Sequence, residues 1–188
     1  MASNISGVEF KDTDTTQDEH GALVETYRSE WYSGESPIQW NSVKSLPGVL
    51  RGVHCHTQHD DIITVTQGEL VLGLIDARIK SPTYKIAELH YCPARMNTIR
   101  IPTGVAHGFY FQKLTIMAYA VTKYWSLGDE LGCKWDDPDI EINWPCTNPI
   151  LSERDKSAGT FSAMSAVISQ GNEQTDYLLK YSLDEKCE

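Results

Sequence analysis

A chain of 188 residues, 40% of them hydrophobic, has the size of one ordinary domain and can bury a core around its own pocket. Its formal net charge of -10 excludes a general binder of nucleic acid or membrane surfaces, although a local basic cluster can still take an anionic small molecule. No apolar run approaches the roughly 20 residues that cross a bilayer, and the opening MASNISGVEFKDTDTT lacks a basic segment followed by a hydrophobic one, so a soluble cytoplasmic protein is expected.

In chain order, residues 18 to 45 contain a possible strand, ALVETY, and the segment SPIQWNSVKS, both with polar residues mixed through them as at a pocket or interface. From residue 47 to 125 short β-rich runs follow one another: IITV, ELVLGLID, TYKIAEL, NTIRIP, VAHGFYF and LTIMAYAVT. Several alternate apolar with polar residues and none is helical, so the expected class is all-β, an antiparallel sandwich or barrel. Gly68-Glu69 reads as a hairpin turn, Ser81-Pro82-Thr83 as a second break, and Pro102 with Gly104 as a third. The segment DELGCKWDDPDIEINWP suits an ordered loop packed by Trp135 and Trp144, with Asp136, Asp137 and Asp139 solvated. In the last 30 residues a short helix near TDYLLKYSL is the one expectation. Cys55, Cys92, Cys133, Cys146 and Cys187 are an odd number at long intervals, which predicts free, reduced thiols, while Cys55 between two histidines keeps a thiol ligand or nucleophile open.

The most informative stretch is GVLRGVHCHTQHDDIITVTQG, from Gly48 to Gly68, which concentrates Arg51, His54, His56 and Asp61. It supports two different sites. Either His54 is a general base beside an anion-binding arginine, or His54, His56 and Asp61 hold a metal ion. Tyr119 in IMAYAV and Asp155 in LSERD also admit plain structural roles, as a packed tyrosine and as a helix or turn cap.

At GVLRGVH, SPTY, IPTGVAHGF, the DP and INWP of the acidic loop, and ILSERD, the chain resembles the dTDP-4-dehydrorhamnose 3,5-epimerase family, the RmlC-like sugar-nucleotide epimerases. The resemblance runs from about Asp18 to Asp155. It implies a cupin-type jelly-roll β-barrel with a few short helices, a single domain over 1–188 with its core at about 18–155 and a C-terminal extension at 156–188. It also implies a homodimer that exchanges an N-terminal strand and acts on a nucleoside-diphospho-4-keto-6-deoxy sugar at C3, C5 or both, without a metal. By position, His54 matches the catalytic base, Asp155 the carboxylate that orients it, and Tyr119 the acid on the opposite sugar face. Arg51, His107, Gln39, Asn41 and Glu25 match polar positions around the substrate, and Tyr124 and Arg154, within the matching AYAVTKY and LSERD segments, are expected to bind it as well. Four pocket positions depart from the family pattern: His20 replaces an arginine, His56 a glutamine, Asp61 a lysine and Trp125 a tyrosine.

The chemistry is coherent with those roles. A C–H beside a ketone is a weak acid, so its removal needs a base of near-neutral pKa and donors that stabilise the enolate oxygen. An aspartate on the far imidazole nitrogen fixes the tautomer, and the planar fork of Arg51 suits phosphate or sugar oxygens.

The same residues also fit the general cupin metal motif, G-x5-H-x-H-x4-D-x6-G followed by P-x-G-x-x-H, which would place a divalent transition metal on His54, His56, Asp61 and His107. A metal-dependent cupin enzyme and a non-catalytic sugar-binding cupin therefore stand beside the cofactor-free epimerase. None of the three involves nucleic acid or a membrane.

Overall fold

The computed structural model describes residues 1–170. Its strands are β1 (Glu9–Asp12), β2 (Thr15–Asp18), β3 (Gly21–Val24), β4 (Gln39–Ser45), β5 (Leu50–Cys55), β6 (Asp61–Gln67), β7 (Glu69–Asp76), β8 (Ala87–Pro93), β9 (Asn97–Ile101), β10 (Val105–Tyr110), β11 (Thr115–Val121) and β12 (Leu131–Gly132). One five-stranded sheet has the order β1-β9-β6-β11-β4, a second has β12-β5-β10-β7-β8, and β2 and β3 form a separate hairpin. Every pairing between these strands is antiparallel. From β4 onward the chain passes back and forth between the sheets, which is jelly-roll topology. Among the described residues no helix is long and apolar enough to cross a membrane.

Burial explains the two kinds of strand sequence. Ile63 and Val65 of β6, Leu70, Leu72 and Leu74 of β7, and Ile99 and Met117 meet between the sheets. The second sheet is covered on its outer side as well, where Val53, Ile75 and Ala106 pack with Phe161, Met164 and Ile168. The β7 strand ELVLGLID therefore reads as a continuous apolar run instead of an alternating one: almost every residue of it is buried.

Four local expectations change. Gly68 is not a hairpin turn, because β6 and β7 belong to different sheets; it is the corner between them. Its φ is +86°, and a Cβ there would lie 2.5 Å from the Leu114 carbonyl oxygen, so only glycine turns this corner without strain. The run TYKIAEL is a turn through Lys85, at φ 64°, and pairs as β8 only from Ala87. Asp137 is buried and not solvated: it accepts from the backbone N–H groups of Asp139 and Phe161, tying the acidic loop to a helix. That helix, over residues 161–170, was not expected from the sequence. The TDYLLKYSL segment and Cys187 lie outside the described residues. Cys55, Cys92, Cys133 and Cys146 are free thiols.

Trp144 packs in the outer cluster and donates from Nε1 to the Trp135 carbonyl at 3.0 Å, as an ordered loop requires. Residues before and after the expected core also contribute to the fold, Ile5 and Val8 at one end and Phe161 to Ile168 at the other.

Gly68→Ala is expected to cost about 3 kcal/mol, the sum of a left-handed non-glycine residue and a backbone clash. Urea unfolding checks this; an unchanged midpoint contradicts the assigned corner.

Candidate active site

Strict alternation along β5 would send Arg51 and His54 to opposite faces. The ladder with β10 prevents this: His54 pairs with His107 and Arg51 with Phe109, so three steps on β5 match two on β10. This bulge is built on Gly52, whose φ is +123° and where a Cβ would lie 2.8 Å from the Gly108 Cα and 2.8 Å from the His107 carbonyl oxygen. Both side chains consequently face the same cavity of about 490 Å³, together with His107 and Phe109.

Asp155 reaches this cavity through a different construction. Leu50 N–H donates to the Ile150 carbonyl and Ile150 N–H to that of Gly48, which pins residue 150 beside the start of β5. One turn of helix follows, α1 (Glu153–Lys156), capped by the Ser152 hydroxyl oxygen, which accepts from Asp155 N–H at 3.1 Å. The Ser152 hydroxyl in turn donates to Asp155 Oδ2 at 2.8 Å, and His54 Nε2 stands 2.6 Å from Asp155 Oδ1. Burial pushes the Asp155 carboxyl upward, but the hydrogen bond and charge of His54, with Ser152 behind them, outweigh it and hold the group below its ordinary value. An ionised Asp155 keeps the imidazole proton on Nε2 and leaves the lone pair on Nδ1.

Tyr119, on β11 opposite Ile63 of β6, also lines the cavity. Burial, followed by the charges of Asp61 and Glu130, pushes its phenol above the ordinary value, so it keeps its proton at neutral pH. Arg51 lines the cavity and donates from Nε to the Ser45 hydroxyl at 3.1 Å. At the rim, Glu130 accepts from Trp125 Nε1 and pairs with Arg154.

A second polar group occupies the same cavity. Asp61, the first residue of β6, receives His107 Nε2 at 3.1 Å, His56 Nε2 at 3.5 Å and His59 Nε2 at 3.7 Å. Burial raises the Asp61 carboxyl, and the three histidines more than reverse that. Burial dominates for His56 and pushes it down to about 4. Behind this group, Asp129 accepts from Thr57 N–H, the Thr57 hydroxyl and Gln58 N–H, and lies 3.0 Å from His59 Nδ1. Burial raises Asp129 as well, but those donors bring it to about 2. The sets His56, Asp61, His107 and His56, His59, Asp129 each bring their ligand atoms within 4.8 Å of one another.

The structure thus divides the residues of the metal motif. His54 is bonded to Asp155 and stands outside both sets, whereas His59, absent from the motif, joins them. His59, Asp129 and Glu130 were missed by the sequence reading. For His59 the available signal was a third histidine beside Asp60-Asp61; for Asp129 and Glu130 nothing local distinguishes them from a solvated acidic loop.

Other expected positions lie outside the cavity of this chain. Gln39 accepts from Trp125 N–H and donates to Asn41, both on the edge strand β4. Glu25 pairs with Arg28 in an exposed segment, His20 sits beside Asp18 on the β2–β3 hairpin, and Tyr124 is 74% exposed. The cause is placement: the hairpin joins neither large sheet, and Tyr124 follows the end of β11.

The model of the dTDP-4-dehydrorhamnose 3,5-epimerase family matches residues 2–163. The chain is 34% identical over 148 residues to the dTDP-4-dehydrorhamnose 3,5-epimerase of Sinorhizobium fredii, covering 73% of this chain and 76% of that protein. It is 30% identical over 154 residues to the enzyme of that name from Shigella flexneri, covering 77% and 85%. Among solved structures, the dTDP-6-deoxy-D-glucose-3,5-epimerase of Legionella pneumophila, in complex with dTDP-4-keto-L-rhamnose, superposes with a TM-score of 0.82 at 26% identity, covering 89% of this chain and 94% of that one. With a jelly roll of the same shape and a family match over nearly all the described residues, this chain belongs to the dTDP-4-dehydrorhamnose 3,5-epimerase family of isomerases.

Proposed function

We propose that the chain epimerises a nucleoside-diphospho-4-keto-6-deoxy sugar at C3, C5 or both through an enolate. The observation that carries this reading is the 2.6 Å contact between His54 and Asp155 inside a cavity that also holds Tyr119 and Arg51. His54 Nδ1 takes the proton from the carbon next to the ketone, and Asp155 stabilises the imidazolium that forms. Tyr119, protonated at neutral pH, returns a proton to the other face of the same carbon. Arg51 and the rim residues Trp125 and Arg154 hold the diphosphate and sugar, and a dTDP sugar is the first substrate to test, given the names of the relatives. These proton transfers use side chains alone and need no organic or redox cofactor.

We place the reaction in a homodimer. The β2–β3 hairpin carries Leu23, 67% exposed, and is paired with neither large sheet, which suits an arm laid on a second copy of the chain. His20 and Glu25 would then serve the neighbouring cavity. A soluble, cytoplasmic enzyme fits the absence of such a membrane-crossing helix among the described residues.

Incubation with a dTDP-4-keto-6-deoxy sugar in deuterated water is expected to place deuterium at C3, C5 or both. His54→Asn should slow this by about 10²–10⁴-fold. Tyr119→Phe should retain exchange but lose inversion, because removal of the proton survives and its return to the opposite face does not. No deuterium uptake by the wild-type protein from several 4-keto sugar nucleotides contradicts the reading.

The carboxyl of Asp155, followed by carbon NMR, should titrate below the ordinary value of about 3.9, and His54→Gln should move it upward. A folded-state pKa lowered in this way contributes stability above the unfolded value and loses it as pH falls through the folded one. Acid unfolding should therefore begin at a higher pH in the His54→Gln variant, and an unshifted Asp155 titration contradicts the pairing.

A further inference from the structure

The three histidines around Asp61 share one arrangement. His107 Nδ1 is 3.3 Å from the Val105 carbonyl, His56 Nδ1 is 3.3 Å from the Asp129 carbonyl, and His59 Nδ1 is 3.0 Å from the Asp129 carboxylate. Each of those partners is an oxygen that only accepts, so each Nδ1 donates outward and each Nε2 faces Asp61. Three imidazole nitrogens and a carboxylate therefore gather in one buried group. His59 Nε2 is also buried with no hydrogen-bond partner, on a side chain only 2% exposed. A buried polar atom without a partner is costly, and a cation held by the neighbouring His56, Asp61 and His107, whose ligand atoms lie within 4.8 Å of one another, would give it one.

Spacing and support agree with that remedy. Nitrogen and oxygen ligands about 2.0–2.1 Å from a tetrahedral ion stand roughly 3.3 Å apart. The Nε2 atoms of His107 and His56 lie 3.1 and 3.5 Å from Asp61 Oδ2, and that of His59 lies 3.7 Å from Oδ1. An imidazole that ligates through one nitrogen while its other nitrogen donates to a carbonyl or carboxylate is the usual construction of a metal site.

We propose that this cavity binds one divalent first-row transition ion through Nε2 of His56, His59 and His107 and the carboxylate of Asp61. Three imidazoles and one carboxylate suit Zn²⁺, Fe²⁺ or Ni²⁺ better than Mg²⁺ or Ca²⁺. His54 is not a ligand, since Asp155 holds it, so the ion and the base coexist, with His54 and His107 paired across adjacent strands. The inference rests on the cluster geometry and not on the epimerase reading. Should that reading hold, the ion places positive charge in the cavity where the enolate forms, beside a carboxylate that by itself would oppose it.

The test uses the full chain, freed of metal with a chelator and titrated with Zn²⁺ by calorimetry, with Co²⁺ as a spectroscopic probe. One equivalent of Zn²⁺ per chain is expected, and Co²⁺ should give visible bands of a low-coordinate nitrogen-rich site. Asp61→Asn and His59→Gln should each weaken Zn²⁺ at least about tenfold, the loss typical even of supporting groups at such sites. Both variants are checked for native circular dichroism, and if one fails to fold the other carries the comparison. Absence of Zn²⁺ uptake by folded wild-type protein at millimolar metal, or unchanged affinity in a folded variant, overturns the proposal. Deuterium exchange by the metal-free protein, measured separately, reports on the epimerase reading whatever the binding result.

Discussion

The contact between His54 and Asp155 joins residues 101 positions apart and is the interaction on which the site depends. Each partner is delivered by a separate device. His54 shares a face with Arg51 because Gly52 allows a bulge, and Asp155 arrives because residue 150 is pinned to the start of β5 and Ser152 caps the turn after it. A jelly roll supplies the rigid frame for both, since its second sheet is packed on either side and cannot shift to absorb a misplacement.

Charge in the cavity is arranged in two compartments. In one, an ionised carboxylate sits behind a single imidazole, which is how an aspartate tunes a general base. In the other, Asp61 and Asp129 are ionised among three histidines, one of which burial keeps neutral. The first compartment accounts for proton transfer. The second is where this chain departs from the family pattern, at His56 and Asp61, and where it gathers more ligating atoms than proton transfer requires.

Much of the fold was legible in the sequence because β-branched and aromatic runs between glycines and prolines have one economical interpretation. What failed was connectivity. A glycine such as Gly68 marks a break in the chain but carries no information about which sheet the next strand joins. The helix over 161–170 was readable in principle, since Phe161, Met164, Ser165 and Ile168 recur with a helical period and are all buried. The base and its carboxylate could be named from family position, yet the placement of Arg51 and His54 on one face contradicts simple strand alternation and needed the bulge. His59 and Glu130 lie on connecting segments, where burial depends on tertiary packing and no local pattern announces it.

The central claim is that Asp155 acts through His54 and has no separate role in the reaction. A double-mutant cycle on the rate of solvent deuterium exchange tests it most directly, using His54→Asn, Asp155→Asn and the pair together. The account predicts strong non-additivity, with the double variant about as slow as His54→Asn alone. Losses that simply multiply would contradict it, because the two residues would then be acting independently.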